Sequence, residues 1–368
     1  MIQDVLYLYH SKGNPRNSEG AFVEIPGKKI MFIYTRYVGN SWRDHATADL
    51  AVRESYDNGK NWTDEDRIIF DHNNIGAENI MSVSLVRLAS GRIVLLAGVK
   101  RPATRDFGLD GGMSCLPYTS FSDDDGETWS ELKPVMDKEG YIVVANDRMT
   151  ELSDGRLVIP FATHESNVSF LYSSDQGNSW QQKPVWLKCT EASGFHFQEP
   201  GIVELADGTF FSYFRTKSGK QYGAFSRDGG DSWSVPEALS DFCSPEAPMN
   251  IKRNPVNGNL TAIWDDHADR WDLPVPEYTR PGWGDVPTGG RHPLVIAESS
   301  DEGKTWHNPR RVEKDPRRGY CYAAMHFTKD ALLLAYCCGG LNNTIMLQDL
   351  KLVRISLAGD GSLEFEGV

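Results

Sequence analysis

The 368 residues carry 38 Lys and Arg against 51 Asp and Glu, a net charge of −13, with no basic block along the chain. That balance disfavours nucleic acid and anionic membrane as partners. The six cysteines (Cys115, Cys189, Cys243, Cys321, Cys337 and Cys338) fit no C-x-x-C spacing and read as free, mostly buried thiols, not a disulfide framework or a zinc site.

Taken in chain order, alternating apolar runs flank a Gly or Asp turn six times. The copies are Val23-Glu24-Ile25-Pro26-Gly27-Lys28-Lys29-Ile30-Met31-Phe32, then Leu88 to Leu96, Leu152 to Ile159, Leu205 to Phe211 and Asn254 to Ala262; the sixth, Thr328 to Ala335, lacks the glycine. Each reads as a β-hairpin. Between them runs a second repeat, S-x-D-x-G-x-x-W, beginning at Ser55, Ser122, Ser173, Ser226 and Ser299, with starts 67, 51, 53 and 73 residues apart. Its Ser and Asp can accept from backbone N–H groups of a tight turn, its Gly supplies a positive φ, and its Trp packs on the following sheet. The spacing suits one small sheet per repeat. Six first hairpins predict an all-β fold, a six-bladed β-propeller of four-stranded antiparallel blades, as a single domain over residues 1–368.

The sixth blade is expected to take its third strand from Thr344-Ile345-Met346-Leu347 onward, with Leu352-Val353-Arg354-Ile355 completing it and Val5-Leu6-Tyr7-Leu8 helping to close the ring. Residues 265–290, rich in Pro, Gly and Trp, read as a long loop. No segment approaches membrane-spanning length, and Met1-Ile2-Gln3-Asp4-Val5 is not a basic region followed by an apolar run, so a soluble chain is expected, with its compartment left open.

The strand order carries a consequence for sidedness. Turns 1→2 and 3→4 of every blade lie on one face, so residues just before strand 1 or at the end of strand 2 lie on the other. Arg16, Arg36, Asp44, Glu199, Arg215, Arg291 and Tyr322 all fall there, and four arginines in an acidic protein suit a small carboxylate, which guanidinium binds bidentately.

The S-x-D-x-G-x-x-W turns resemble the Asp boxes of the sialidase (neuraminidase) superfamily, and the pattern covers essentially the whole chain. Within that resemblance Glu199 and Arg215, sixteen residues apart, are similar to the family's nucleophile-activating Glu and second triad Arg. Arg291 resembles the third triad Arg, Tyr322 the Tyr nucleophile, and Arg36 with Asp44 the arginine and acid/base Asp after the first hairpin. Arg16 takes the place of the first triad Arg by position, because Asn17-Ser18-Glu19 follows it where the family has Ile-Pro.

The resemblance implies a retaining exo-α-sialidase acting on sialylated glycans. Three arginines would hold the substrate carboxylate. Tyr322 would attack the anomeric carbon, and since a phenol has an unperturbed pKa of about 10, Glu199 would take its proton. Asp44 would protonate the leaving oxygen and later deprotonate water. Asn79, Asp147 and His164 are expected as further substrate contacts. No cofactor is implied, and the nine His show no H-x-H or H-E-x-x-H pattern that would predict a catalytic metal.

Plainer readings stand beside these. Glu199 and Arg215 also suit a structural ion pair, and Arg16 a surface arginine. Tyr320 points to the same side as Tyr322, and Asp49 competes with Asp44 but is placed to brace Arg53. Asp44 is preferred because Gly39-Asn40-Ser41-Trp42 gives its segment freedom to reach over a ligand. A non-catalytic sugar-binding propeller, and a two-carboxylate glycosidase acting on neutral glycans through Asp44 and Glu199, are the rival functions.

Overall fold

The computed structural model describes residues 2–104, 112–137, 139–272, 289–340 and 345–365. Strands dominate, and the described helical segments are two short 3₁₀ turns, His72–Ile75 and Glu191–Ser193. The chain packs as two compact units, one of residues 10–188 with 198–200 and one of residues 1–9, 189–197 and 201–368.

The second unit holds three four-stranded antiparallel sheets with the connectivity of propeller blades. They are Gln198–Glu204, Phe210–Arg215, Lys220–Ser226, Glu237–Cys243; then Asn250–Arg253, Leu260–Asp265, Leu294–Ser299, His307–Glu313; and Cys321–Phe327, Ala331–Cys337, Leu350–Ser356, Ile2–Leu8. The first three residues of Gln198–Glu204 belong with the first unit. In the first unit a five-stranded sheet is built on Ile142–Val143, Leu157–Thr163, Val168–Ser173 and Gln181–Gln182, with Thr150–Glu151 beside Leu157–Thr163.

The expectation of six separate blades fails in the remaining eight strands. Asn17–Ile25, Lys29–Tyr37, Ala48–Ser55, Asn79–Arg87, Ile93–Pro102, Met113–Ser122 and Lys133–Pro134 follow one another in a single sheet, with Arg67–Phe70 paired to Ala48–Ser55. Among the described residues there are therefore four separate blades and one continuous eight-stranded sheet. The join is a parallel pairing of Ala48 with Asn79, in which Ala48 N donates to Glu78 O at 3.2 Å and Asn79 Nδ2 to Ala46 O at 2.6 Å. Hairpin counting cannot see such a bond, because it joins strands about thirty residues apart.

The last blade also differs from expectation. Thr344 lies outside the described residues, and Ile345 to Gln348 make a turn closed by Gln348 N donating to Ile345 O at 3.1 Å. Leu350–Ser356 is the third strand, and Ile2–Leu8 pairs with it as the fourth. Of the predicted loop 265–290, residues 273–288 lie outside the described residues.

The period-2 patterning explains the cores. In Lys29–Tyr37, Met31 and Ile33 enter a cluster with Val52, Ile80, Val83 and Leu95, while Phe32 and Tyr34 point to the opposite side with Phe22 and Trp62. In the second unit Ile263, Ile296, Met325, Leu332 and Val353 form an equivalent cluster. The five Asp-box turns share one geometry. The fifth-residue Gly N donates to the Ser Oγ at 2.8–2.9 Å, the N–H two residues on donates to the Asp Oδ1 at 2.9 Å, and the Gly φ lies between 79° and 90°. They fix turns.

Candidate active site

Five residues at the entry to first strands share a left-handed backbone that side chains other than Gly avoid: Glu19 (φ 48°), Ser82 (58°), Asp147 (59°), Glu199 (50°) and Tyr322 (57°). At three of them the strand register slips, between Ser18 and Ala21, Met81 and Ser84, and Cys321 and Ala324. Each is a bulge that re-aims one side chain, at a strain of about 1–3 kcal/mol.

In the first unit Arg16 is fully buried and far from a surface arginine. Its Nη1 donates to Asp44 Oδ1 at 2.5 Å and Trp42 O at 3.3 Å, and its Nη2 to Glu19 Oε1 at 2.8 Å and Ser18 Oγ at 3.1 Å. The ring of Tyr37 covers the guanidinium, 4.6 Å from its centroid. Ser82 Oγ donates to Glu19 Oε2 at 2.6 Å, and Lys100 Nζ to the Asp44 carbonyl at 2.6 Å. Burial pushes the Glu19 carboxyl up, against Arg16 and Ser82, with Asp44 and Glu199 adding to the rise. Burial also acts to raise Asp44, whose side chain keeps 42% of its exposure, but Arg16 and then Lys100 outweigh it and hold the group below the ordinary carboxylate range.

The other expected residues of this unit have separate partners. Arg36 Nε donates to Asp66 Oδ2 at 2.9 Å, on the side of its strand where Tyr34 and Arg53 also meet Asp66. Arg53 is thus braced by Asp66, while Asp49 accepts from His72 N at 2.9 Å. Asn79 spends its amide on the sheet join. Asp147 is buried, its N–H on Val83 O at 2.8 Å, and the neighbouring Asn146 Nδ2 donates to Gly20 O at 2.9 Å. His164 is half-buried, with its N–H on Tyr141 O at 3.0 Å. Among the described residues one trio, Asp49, Asp71 and His72, brings ligand atoms within 4.8 Å of one another, but its atoms already bond within the turn that Asp71 caps.

In the second unit Arg215 and Arg291 converge on one residue, Glu246. Arg215 Nη2 donates to Glu246 Oε1 at 2.7 Å, Arg291 Nη2 to the Glu246 carbonyl at 3.0 Å, and His196 Nε2 lies 3.2 Å from the same Oε1. Burial acts to raise Glu246, but the bonds from His196 and Arg215 bring it down to about 2. The Arg291 guanidinium stands over the Tyr322 ring, 5.7 Å from its centroid. Tyr320 is buried against Tyr336 instead, its N–H on Arg291 O at 2.8 Å. Asp265 is also buried near Arg291; neither carboxyl oxygen has a hydrogen-bond partner among the described residues, and burial pushes its pKa well up.

Among the described residues, Asp44 and Glu19 accept from Arg16, and Asp44 and Glu199 act to raise Glu19. Glu246 accepts from Arg215 and is held ionised, while Asp265 beside Arg291 is pushed toward its neutral form. Guanidinium groups such as Arg215 and Arg291 suit a carboxylate ligand.

Sequence reasoning passed over Glu19, Lys100, Glu246, His196 and Asp265. Glu19 sits three residues after Arg16 at the start of a strand, a pairing that could have been noticed; Glu246, in Ser244-Pro245-Glu246-Ala247-Pro248, carries no pattern at all.

A family model for the BNR repeat-like domain matches residues 110–334, more than half of the chain. The chain belongs to this family. It therefore sits in the sialidase/BNR-repeat superfamily, in line with the Asp-box geometry above. This BNR repeat-like protein is 32% identical to an anhydrosialidase from Macrobdella decora over 125 residues, a segment that makes up 31% of this chain and 16% of that one. It is 27% identical to a sialidase from Paraclostridium sordellii over 66% of this chain and 69% of the other. Two solved structures share the fold: a protein of unknown function from Dyadobacter fermentans (TM-score 0.72, 18% identity, 96% of this chain and 98% of that one) and an intramolecular trans-sialidase from Ruminococcus gnavus (TM-score 0.69, 15% identity, 97% and 98%).

Proposed function

We propose that this protein is an exo-α-sialidase that releases terminal sialic acid from glycans by a retaining route. The observation that carries the reading is the convergence of Arg215 and Arg291 on Glu246, with the Tyr322 ring beneath the Arg291 guanidinium. A sialic acid bears its carboxylate on the anomeric carbon, so arginines that bind the carboxylate bring that carbon to the neighbouring side chain. A phenol is repelled less by the carboxylate than a carboxylate nucleophile would be, and the Arg291 cation stabilises charge that develops on the Tyr322 oxygen.

In this reading Glu199 takes the Tyr322 proton, and Asp44 gives its proton to the leaving glycosidic oxygen. After departure of the aglycone, Asp44 takes a proton from the water that opens the tyrosyl intermediate, and Glu199 returns its proton to the departing Tyr322 oxygen. Arg16 enters through Asp44, its ion-pair partner. Asp147, Asn79, His164 and Arg36 are lesser candidates for sugar contacts.

Incubation with a fluorogenic α-sialoside should release the fluorophore, and proton NMR of the first product should show retained anomeric configuration. Tyr322→Phe should lose most turnover and still bind an unsaturated sialic acid analogue. An inverted first product, or unchanged turnover in that variant, contradicts the tyrosyl route. The same NMR spectrum separates hydrolysis from internal transfer, the activity named for the Ruminococcus gnavus structure.

A further inference from the structure

We propose that Arg16 is a positioning residue that fixes the Asp44 carboxylate against Glu19, and that it does not hold the substrate carboxylate. The inference rests on the sialidase reading for what Asp44 does, but its geometry stands without it.

A guanidinium takes a carboxylate through two parallel N–H groups. Each terminal nitrogen of Arg16 has two N–H groups, and each already meets two acceptors: Asp44 Oδ1 and Trp42 O on Nη1, Glu19 Oε1 and Ser18 Oγ on Nη2. Two carboxylates of the chain thus occupy the fork, one on each nitrogen. Tyr37 covers the guanidinium, and the Arg16 backbone is pinned by Tyr37 N donating to Arg16 O at 2.9 Å. A substrate carboxylate at Arg16 would have to displace carboxylates of the chain from both terminal nitrogens.

The other end of the relay is rigid. Glu19 Oε2 accepts from Ser82 Oγ at 2.6 Å, and its backbone is held in the left-handed region. The next residue is Gly20, where a Cβ would come within 2.4 Å of the Phe32 ring, so the chain packs there at a distance no side chain allows. Ser82 and Glu19 are the anchor, Arg16 is the bridge, and Asp44, 42% exposed, is the end that faces solvent. Lys100 fixes the backbone carbonyl of Asp44, so the residue is held at two points. The relay sets where the Asp44 proton is delivered. The charged groups acting on Asp44 are Arg16, Lys100 and His45, all lowering its pKa, and the Asp44 charge in turn raises Glu19 across the bridge.

The test follows the Asp44 carboxyl by carbon-13 NMR in the ligand-free protein and measures the affinity for 2-deoxy-2,3-didehydro-N-acetylneuraminic acid by calorimetry. Arg16→Gln should make Asp44 titrate at higher pH and leave the affinity within about threefold of the unmodified protein, whereas Arg215→Gln should lose about 100-fold, as expected when one partner of a buried charge pair is removed. In turnover, Asp44 must be protonated to act first, so the fall of kcat/KM with rising pH should move to higher pH in Arg16→Gln. An affinity loss in Arg16→Gln equal to that of Arg215→Gln, or an unmoved Asp44 titration, overturns the proposal. If Arg16→Gln does not fold, Asp44→Asn decides: the Asp44 charge raises Glu19 across the bridge, so its removal should lower the Glu19 titration, and no movement overturns the relay. Failure of the unmodified protein to bind the analogue sinks the sialidase reading, and the Asp44 titration then decides the relay alone.

Discussion

Glu246 is the residue on which both arginines of the second unit depend. It is a half-buried anion whose Oε1 accepts from Arg215 Nη2 and lies 3.2 Å from His196 Nε2, while Arg291 holds its backbone carbonyl, so the folded state favours the carboxylate. A group whose folded pKa is depressed contributes stability above its unfolded value and loses it as the pH falls through the folded one. With about 2 in the folded protein and an ordinary Glu value near 4.3 unfolded, the contribution is present above about pH 4.5 and gone near pH 2. Its size is of order 3 kcal/mol, from about 1.4 kcal/mol for each pH unit of displacement. Urea unfolding of Glu246→Gln should therefore show a flatter acid limb than the parent between pH 5 and 2. At neutral pH the variant should be destabilised by about 3–5 kcal/mol, because a buried arginine loses its partner. An equal acid limb in the two proteins would deny Glu246 this role. Asp44→Asn makes the matching test of chemistry: turnover of a sialoside with a poor leaving group should fall by about 10²- to 10⁴-fold. A substrate whose leaving group needs no proton should lose far less, and equal losses would remove Asp44 from the acid role.

At the scale of elements, the Asp-box turns and the sheet join have different duties. In the turn beginning at Ser173, Asp175 accepts from Ser179 N at 2.9 Å and Ser179 Oγ at 2.6 Å, and its partner Ser173 accepts from Gly177 N at 2.9 Å. These bonds stay between residues of the turn, away from every residue assigned to chemistry. Asp175→Ala should lower Tm by about 2–4 °C with kcat/KM unchanged, measured by calorimetry and a sialoside assay; a large loss of turnover would mean that the turn does more than hold two strands. The Asn79 amide instead anchors Ala46, two residues past Asp44. Loss of that buried bond in Asn79→Ala should cost about 1–3 kcal/mol and speed amide hydrogen exchange across residues 38–48. Unchanged exchange there would show that the pairing of Ala48 with Asn79 holds the segment without the side chain.

For the molecule as a whole, the two ends of the chain meet in one blade. Ile2–Leu8 is the edge strand on Leu350–Ser356, and Tyr7 accepts from Arg318 Nη1 at 2.7 Å while Cys338 Sγ lies 3.2 Å from its hydroxyl. Deletion of residues 1–9 would bare the edge of Leu350–Ser356 and take the Tyr7 hydroxyl from the half-buried Arg318 guanidinium, leaving it the Cys338 carbonyl. The shortened protein should unfold at lower temperature and run as larger species on size exclusion. A monomer of unchanged Tm would show the strand to be dispensable.

Sequence alone determined what depends on local pattern. Apolar alternation and turn chemistry act over a few residues, so the all-β class, the hairpins, the five Asp-box turns and the placing of Arg16, Glu199, Arg215, Arg291 and Tyr322 at strand ends were legible along the chain. Only the tertiary structure decided what depends on a partner far away in sequence. The pairing of Ala48 with Asn79 turned two expected blades into one sheet, a hydrogen bond that no periodicity encodes. The choice of Asp66 by Arg36, of Asp44 and Glu19 by Arg16, and of Glu246 by Arg215 is likewise a matter of which carboxylate packing brings within 3 Å. A guanidinium in a sequence is only a charge; its role is set by the neighbours that share its burial.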